Sequence, residues 1–444
     1  MSTDPPGASP RVLLDTLIAR SRGKGLRAIA GNTGWLLGEK VWRALLAALV
    51  TAWVARYLGP TNYASIAYAL AIVTFFGPVA QLGISNLIVR DLAREPGAAG
   101  EIIGTGVVLR MGAGLLGLVG AIAFLFATDP TATGRLVGAL IAGQLVFQSA
   151  EVIDCWFQSR LESRYGVRLR LVVSLVMSAL KVGLILAKMP LWTFALAISL
   201  EFGLTAAAIA AAYLWHGQSV GWRFSAHRAR GLLHEGLPFM ASALAIAIYM
   251  RFDQVLLRQI DGVEALGIFA AIVPLAQVWQ IVPVSIVASL TPVIAREAEK
   301  GPEAYAQALR AMFLLLGALS LAIALLIAVA AGPAVNLLLG QAYAGAVPAL
   351  RVYGFTNIPV ALGLAWNVWA TISGKGKLLL INTVAGSVVS LIANLALIPR
   401  YGVMGAAVAA NLSYFTSALL INYVTCRDMF FLQLGIVRKV RVAE

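Results

Sequence analysis

Residues 311–331 read AMFLLLGALSLAIALLIAVAA, a run of 21 positions with no charged side chain. At 1.5 Å per residue this run is about 31 Å long as a helix, the thickness of a bilayer's hydrocarbon core. No water is available there to satisfy backbone amides, so the segment must close its own hydrogen bonds as an α-helix. The fold therefore depends on how many such runs the chain holds. Reading outward from the span 307–331 finds eleven more, at about 33–56, 63–87, 102–127, 136–157, 169–187, 191–214, 237–257, 264–294, 347–371, 378–398 and 403–425. What separates them is short and carries Gly, Pro or charge.

Composition agrees with that count. Of 444 residues 60% are hydrophobic and 12% charged, and the mean hydropathy is +0.85, whereas soluble chains carry roughly 25% charged residues. This excludes a water-soluble globule and a soluble enzyme hung on one anchor. The expected fold class is an all-α membrane protein. The net charge of +14 is explained without nucleic acid, because Lys and Arg collect in cytoplasmic loops and face anionic headgroups. Counted on alternate sides, Lys and Arg divide 23 to 5, the smaller set being Arg56, Arg135, Lys188, Arg258 and Arg400. By the positive-inside rule both termini are expected in the cytoplasm of a multi-pass protein.

The expected divisions are a cytoplasmic tail 1–32, a first six-helix lobe 33–214, a cytoplasmic linker 215–236, a second lobe 237–425 and a cytoplasmic tail 426–444. Leu13, Leu14, Leu17 and Ile18 sit at helical spacing among Arg11, Arg20, Arg22, Lys24 and Arg27, which suits an amphipathic segment on the membrane surface rather than a cleaved signal peptide. Sliding the chain by 202 positions superimposes Arg56 on Arg258, Ile66 on Ile268 and Ala93-Arg94-Glu95 on Ala295-Arg296-Glu297. That offset joins spans of the same orientation, so the repeat is parallel, with a pseudo-twofold along the membrane normal.

Catalytic signatures are absent. Ser373-Gly-Lys-Gly-Lys377 lacks the spacing of a P-loop, and neither a zinc-protease helix motif nor a nucleophile elbow occurs. His216, His227 and His234 fall in the linker without carboxylates or cysteines at ligand spacing, and the two cysteines, Cys155 and Cys426, form no Cys-x-x-Cys. No metal, no cofactor and no catalytic residue is expected. A membrane glycan polymerase remains an alternative, but the longest outward connection, about 332–346, is short for handling an acceptor sugar. Transport fits better.

The informative residues are charges at membrane depth, each costing about 3 kcal/mol or more at the bilayer centre unless it meets a partner or a cavity. They are Lys40, Arg43, Arg110, Lys181, Arg251 and Arg351, with Glu39, Glu151, Asp154, Glu201 and Asp253. Depth along the helices pairs Glu39 with Arg43, Lys181 with Glu201, Arg110 with Glu151 and Asp253 with Arg351. Arg251 is left over. A guanidinium there is too deep for easy snorkelling, so Arg251 is the expected contact for an anionic group, with Lys181, Arg110 and Arg351 lining its path. Asp253, Glu201, Glu39 and Arg43 are candidate ion-coupling groups or charge partners. Pro78, Pro274 and Pro283, with Pro292, are the hinge candidates.

Ala55-Arg-Tyr-Leu-Gly-Pro60, Leu82-Gly-Ile-Ser85 and Arg90-Asp-Leu-Ala-Arg94 resemble the opening helix pair of the Wzx-type polysaccharide flippases. Asp253-Gln-Val-Leu-Leu257, Gly267-Ile-Phe269, Thr291-Pro-Val-Ile-Ala-Arg296 and Asn394-Leu-Ala-Leu-Ile-Pro-Arg-Tyr-Gly-Val-Met-Gly-Ala-Ala407 extend the likeness over most of residues 33–425. These flippases belong to the multidrug/oligosaccharidyl-lipid/polysaccharide exporter superfamily. The resemblance implies two six-helix lobes in a V around a central cavity. It also implies a polyprenyl (undecaprenyl) diphosphate-linked oligosaccharide crossing the bacterial cytoplasmic membrane by alternating access. Implied partners are that glycolipid, membrane lipids, Na+ or H+, and the polymerase and chain-length machinery of polysaccharide synthesis. Drug exporters of the superfamily share the count of twelve and stay open as an alternative.

Overall fold

Backbone groups that cannot reach water are closed inside helices throughout. The computed structural model describes residues 24–160, 162–215 and 221–436, and no strand occurs among them. The helices are α1 (Lys24–Gln81), α2 (Ser85–Arg94), α3 (Ala99–Thr128), α4 (Ala132–Ser159), α5 (Arg164–Leu186), α6 (Leu191–Trp215), α7 (Ala226–Ile260), α8 (Val263–Lys300), α9 (Pro302–Leu339), α10 (347–372), α11 (Gly376–Thr425) and α12 (Arg427–Gln433).

Nine helical stretches among the described residues are long and apolar enough to cross a membrane. They cover all or part of eleven of the twelve expected runs, because the stretches in α1 and α11 each include two. α1 turns at Gly59, whose φ of 73° is a conformation that a residue with a Cβ avoids, and Pro60 then starts the second arm. α11 turns in the same way at Gly402. The twelfth run, 347–371, falls in α10. There a 3-10 turn at Gly354–Thr356 interrupts the helix one residue after Val347–Tyr353, which carries Arg351.

Four boundaries differ from the sequence expectation, the first being that α1 already begins at Lys24, inside the expected tail 1–32. The expected run 63–87 bends at Leu82 and Gly83, both with positive φ, just after Pro78. Residues 226–236, expected as linker, are already the first turns of α7, capped by the Ser225 hydroxyl, which accepts from the Arg228 amide. The expected C-terminal tail begins with α12, whose Met429 and Leu432 are buried against α9. Residues 1–23, 161, 216–220 and 437–444, with most of the tails and His216, lie outside the described residues.

α3 and α7 run in the same direction. Both start beside Arg90, Glu95 and Glu101, where Arg228 meets Glu95 and Glu101, and both finish where Arg258 meets Asp129. These define an Arg90 end and an Arg258 end, separated by about 45 Å for the 30 residues of α3. The apolar core is not uniform between them. At the Arg258 end one buried cluster joins both halves of the chain, Ala55, Tyr68, Ile72, Val137 and Phe194 with Phe269, Ile272, Tyr343, Tyr353 and Ala407. At the Arg90 end there are two separate clusters. One holds Ile88, Ile102, Trp156, Phe157 and Tyr213 with Leu232 of α7, the other Ile294, Phe313, Trp366, Trp369 and Met429. One core at one end and two at the other is the packing of a V.

Candidate functional site

Arg110 is in the middle of α3, and its side chain is 0% exposed. Every arm of the guanidinium is used. Nε donates to the Gln81 carbonyl (3.3 Å), Nη1 to the Gln148 carbonyl (3.3 Å) and to Glu151 (3.1 Å), and Nη2 to the Ser85 hydroxyl (2.7 Å). The pairing with Glu151 is the one expected from depth. The remaining partners tie α3 to the bend of α1 and to the 3-10 turn in α4, so Arg110 faces protein on all sides. Lys181 of α5 likewise meets Glu201 of α6, at 2.7 Å. Asp154, by contrast, is held by Arg170 at 3.1 Å and by Gln158.

Arg251 is half-buried on α7, seven residues and about 10 Å closer to the middle than Arg258. Among the described residues it has no hydrogen bond or ion pair. Arg351 is exposed on α10 and has no such partner either. Asp253 accepts from the amide of the next residue, Gln254, at 2.7 Å. It forms no ion pair with Arg351 among the described residues. The structure therefore brings Lys181 to Glu201 and Arg110 to Glu151, and joins no two of Arg110, Lys181, Arg251 and Arg351 to each other. The side chains of Glu39, Lys40 and Arg43 lie outside the described residues. No group of His, Cys, Asp and Glu among the described residues is placed to hold a metal ion.

Of the hinge candidates, Pro78, Pro274 and Pro283 lie close to helix irregularities, whereas Pro292 lies within the unbroken helix Ile281–Lys300. Pro78 precedes the bend at Leu82, whose amide donates to the Pro78 carbonyl at 2.9 Å. In α8 a 3-10 turn at Val278–Gln280 lies between Pro274 and Pro283. Of the glycines of α3, Gly106, Gly114, Gly117 and Gly120 lie against neighbours, as close helix packing requires, whereas Gly112 faces open space.

Closure of the Arg258 end is a feature that charge depth alone does not show. Arg258 pairs with Asp129 at 2.6 Å, with 8% and 1% of the side chains exposed, and its guanidinium lies 3.9 Å from the centroid of the Tyr68 ring. Burial alone pushes the Asp129 carboxyl up, but the hydrogen bonds from Arg258 and Thr131 and the Arg258 charge outweigh it and hold the group below the usual carboxylate range. On the other side Arg56 Nη1 donates to the Leu337 carbonyl (2.7 Å), and the Tyr343 hydroxyl donates to the Ala55 carbonyl (2.9 Å). Gly267 packs on the Pro60 carbonyl so closely that a Cβ would overlap it. Each of these contacts joins the first half of the chain to the second. Arg56 and Arg258 are the residues that the 202-position repeat superimposes; Arg258 reaches Asp129, just after α3, and Arg56 reaches Leu337, in the last turn of α9. That signal was present in the sequence. At the Arg90 end Arg90 meets Glu235 at 2.7 Å, and Arg228 meets Glu95 (2.8 Å) and Glu101 (3.2 Å), contacts that fasten the start of α7 to the first bundle.

Residues 29–298 match the family described as polysaccharide biosynthesis protein. No curated protein matches the chain by sequence. Among solved structures it is similar to an inward-facing multidrug resistance MATE family transporter of the MOP superfamily, with a TM-score of 0.68 and 16% identity over 89% of this chain and 96% of that one. The lipid II flippase MurJ in an inward closed conformation gives a TM-score of 0.68 at 11% identity, over 90% of each chain. An outward-facing MATE family transporter gives 0.57 at 16% identity, over 94% of this chain and 98% of that one. At these identities the likeness is one of fold.

Proposed function

Because this chain belongs to the polysaccharide biosynthesis protein family, we propose that it moves a polyprenyl diphosphate-linked oligosaccharide across the bacterial cytoplasmic membrane by alternating access. The observation that supports this most is the V itself: one core sealed by Arg258–Asp129 and Arg56–Leu337 at one end, and two separate cores at the other. The 23-to-5 charge split assigns the Arg90 end to the cytoplasm, so the cleft opens on the side where the glycolipid is made. The higher similarity to the inward-facing MATE family transporter than to the outward-facing one supports the same assignment.

In this reading residues 33–214 and 237–425 move as two lobes, with residues 226–236 of α7 carried by the first. Arg251, half-buried and unpaired among the described residues, takes the diphosphate or an acidic sugar, which a planar guanidinium grips in bidentate fashion. Lys181 and Arg351 follow along the path, and Arg110 holds the wall in place. Asp253 is the carboxylate at which Na+ or H+ couples, and Pro78, Pro274 and Pro283 are the points that flex. A polymerase working outside the membrane would consume the delivered units.

The test uses the full chain in vesicles loaded with a polyprenyl diphosphate oligosaccharide, read by an impermeant glycosidase added outside. Protein should raise the cleaved fraction from about half towards completion. Unchanged cleavage with efflux of organic cations would make the protein a drug exporter, and lengthened glycans would make it a polymerase.

A further inference from the structure

α5 is the least buried of the nine long apolar stretches, with 11% of its apolar window inside the protein. It packs on α6. In the half nearer the Arg90 end the two helices leave a groove lined by Val172, Val176, Leu204, Ala207, Ala208 and Ala211, all apolar. Both walls continue towards the Arg90 end in register. Arg168 is one helical turn before Val172, and Trp215 one turn after Ala211, so each lies on the same helix face as its groove residues. Arg168 is exposed, and so is Trp215, at 90%.

The mouth of the groove is positive. Arg160, Arg164 and Arg168 are exposed, and none is in an ion pair with a described residue. Arg160 lies over the Trp156 ring at 4.3 Å and Arg164 over Tyr165 at 5.2 Å. Glu162 is the one carboxylate in that stretch, which leaves an excess of two positive charges. The opposite end is bounded by the Lys181–Glu201 pair, since Glu201 is one turn from Leu204 on the same face. Length then selects the occupant. From Trp215 to Leu204 is about 16 Å, and from Arg168 to Val176 about 12 Å, against about 15 Å for one leaflet's hydrocarbon. A chain confined to one leaflet fits between the basic mouth and the ion pair, whereas a longer polyprenyl chain runs into the half-buried Lys181–Glu201 pair.

We propose that this groove is a binding site for an anionic phospholipid, one acyl chain lying between α5 and α6 and the headgroup phosphate on Arg164 and Arg168. Lipid ordered there would fix α5 against α6, and the headgroup contacts, Arg164 and Arg168, are distinct from Arg251, where the anionic part of the glycolipid is proposed to bind. The full chain is taken from nanodiscs of equal phosphatidylglycerol and phosphatidylcholine, and the retained lipid is read by native mass spectrometry. Wild type should keep phosphatidylglycerol in preference. Arg164→Gln with Arg168→Gln should lower that preference roughly tenfold, given the usual attraction of basic side chains for anionic lipid. Ala207→Trp should remove the retained lipid with both arginines intact, and Ala207→Leu should do so in part. Unchanged preference in the double variant overturns the headgroup assignment, and unchanged retention in both Ala207 variants overturns the groove. Displacement of phosphatidylglycerol by an equimolar polyprenyl phosphate would make it a substrate-tail site and overturn the proposal. Glycolipid transport measured on the same samples distinguishes this site from the central one.

Discussion

Arg110 and Arg251 look alike in the sequence, each an arginine inside an apolar helix, and the structure separates them by what surrounds the guanidinium. Arg110 has no exposed side-chain surface and four oxygen partners. Removing it leaves the part-buried carbonyls of Gln81 and Gln148 without this donor, so Arg110→Met should destabilise the protein by about 1–3 kcal/mol, the usual cost of leaving such groups unsatisfied. The check is a lowered melting temperature and poor accumulation in the membrane. Arg251 has no hydrogen bond or ion pair to strand among the described residues. Arg251→Ala should therefore accumulate normally yet lose transport, and Arg251→Lys should fall between, because an ammonium cannot make the bidentate contact. Normal transport by Arg251→Ala refutes that role; failure to accumulate makes the charge structural. Depth arithmetic was enough to pair Lys181 with Glu201 and Arg110 with Glu151, since both pairs face across neighbouring helices. It singled out Arg251 as the cation left over but could not show that Arg110 is fully enclosed, because the extra partners of Arg110 include main-chain carbonyls at a bend and a 3-10 turn, and neither has a sequence signature as strong as a charge.

Helices were legible where a single physical rule decides them. Runs of apolar residues became helices, and Gly59-Pro60 and Gly402 became turns. The start of α7 was not legible as helix, since His227, Arg228, Arg230, His234 and Glu235 read as a solvated loop, and what fixes them is distant in sequence: Arg90 for Glu235, and Glu95 and Glu101 for Arg228. The proline-flanked turn in α8 has a different logic. Pro274 cannot donate to the carbonyl four residues back, and Pro283 repeats the defect beyond the 3-10 turn at Val278–Gln280. A helix weakened at two points on either side of one turn bends there when its ends are pulled to different cores. Pro274→Ala with Pro283→Ala should restore two hydrogen bonds and stiffen α8. The expected outcome is a gain of about 1 kcal/mol in stability with slower transport, read as a higher melting temperature beside a lower initial rate in vesicles. Faster transport with the same gain excludes bending of α8 from the transport cycle.

At the scale of the molecule, alternating access requires the Arg258 end to open, and the contacts that must break there are few and specific. Arg258 has to leave Asp129 and Tyr68, Arg56 the Leu337 carbonyl, and Tyr343 the Ala55 carbonyl. A bound substrate can drive this only through tighter binding to the open form. Weakening the closure should shift the equilibrium without substrate, and Asp129 offers two ways to weaken it. Its carboxyl titrates below the usual range when folded, so its pair with Arg258 contributes fully above the unfolded value of about 3.9 and is lost as pH falls through the lower folded value. Spin labels at Asn62 and Gln341, both exposed at this end, report the separation. At pH 7 the wild type should show mainly the short distance, and Asp129→Asn should raise the long-distance fraction roughly tenfold, the equivalent of about 1.4 kcal/mol. Between pH 8 and 5 the wild type should not change. Below about pH 4 it should move towards the distribution of Asp129→Asn, which has no carboxyl to titrate and should stay where it was. Opening of the wild type between pH 5 and 8, or an Asp129→Asn distribution equal to that of the wild type at pH 7, would show that the end is held shut by the apolar cluster around Tyr68 and Phe269 and not by its ion pair.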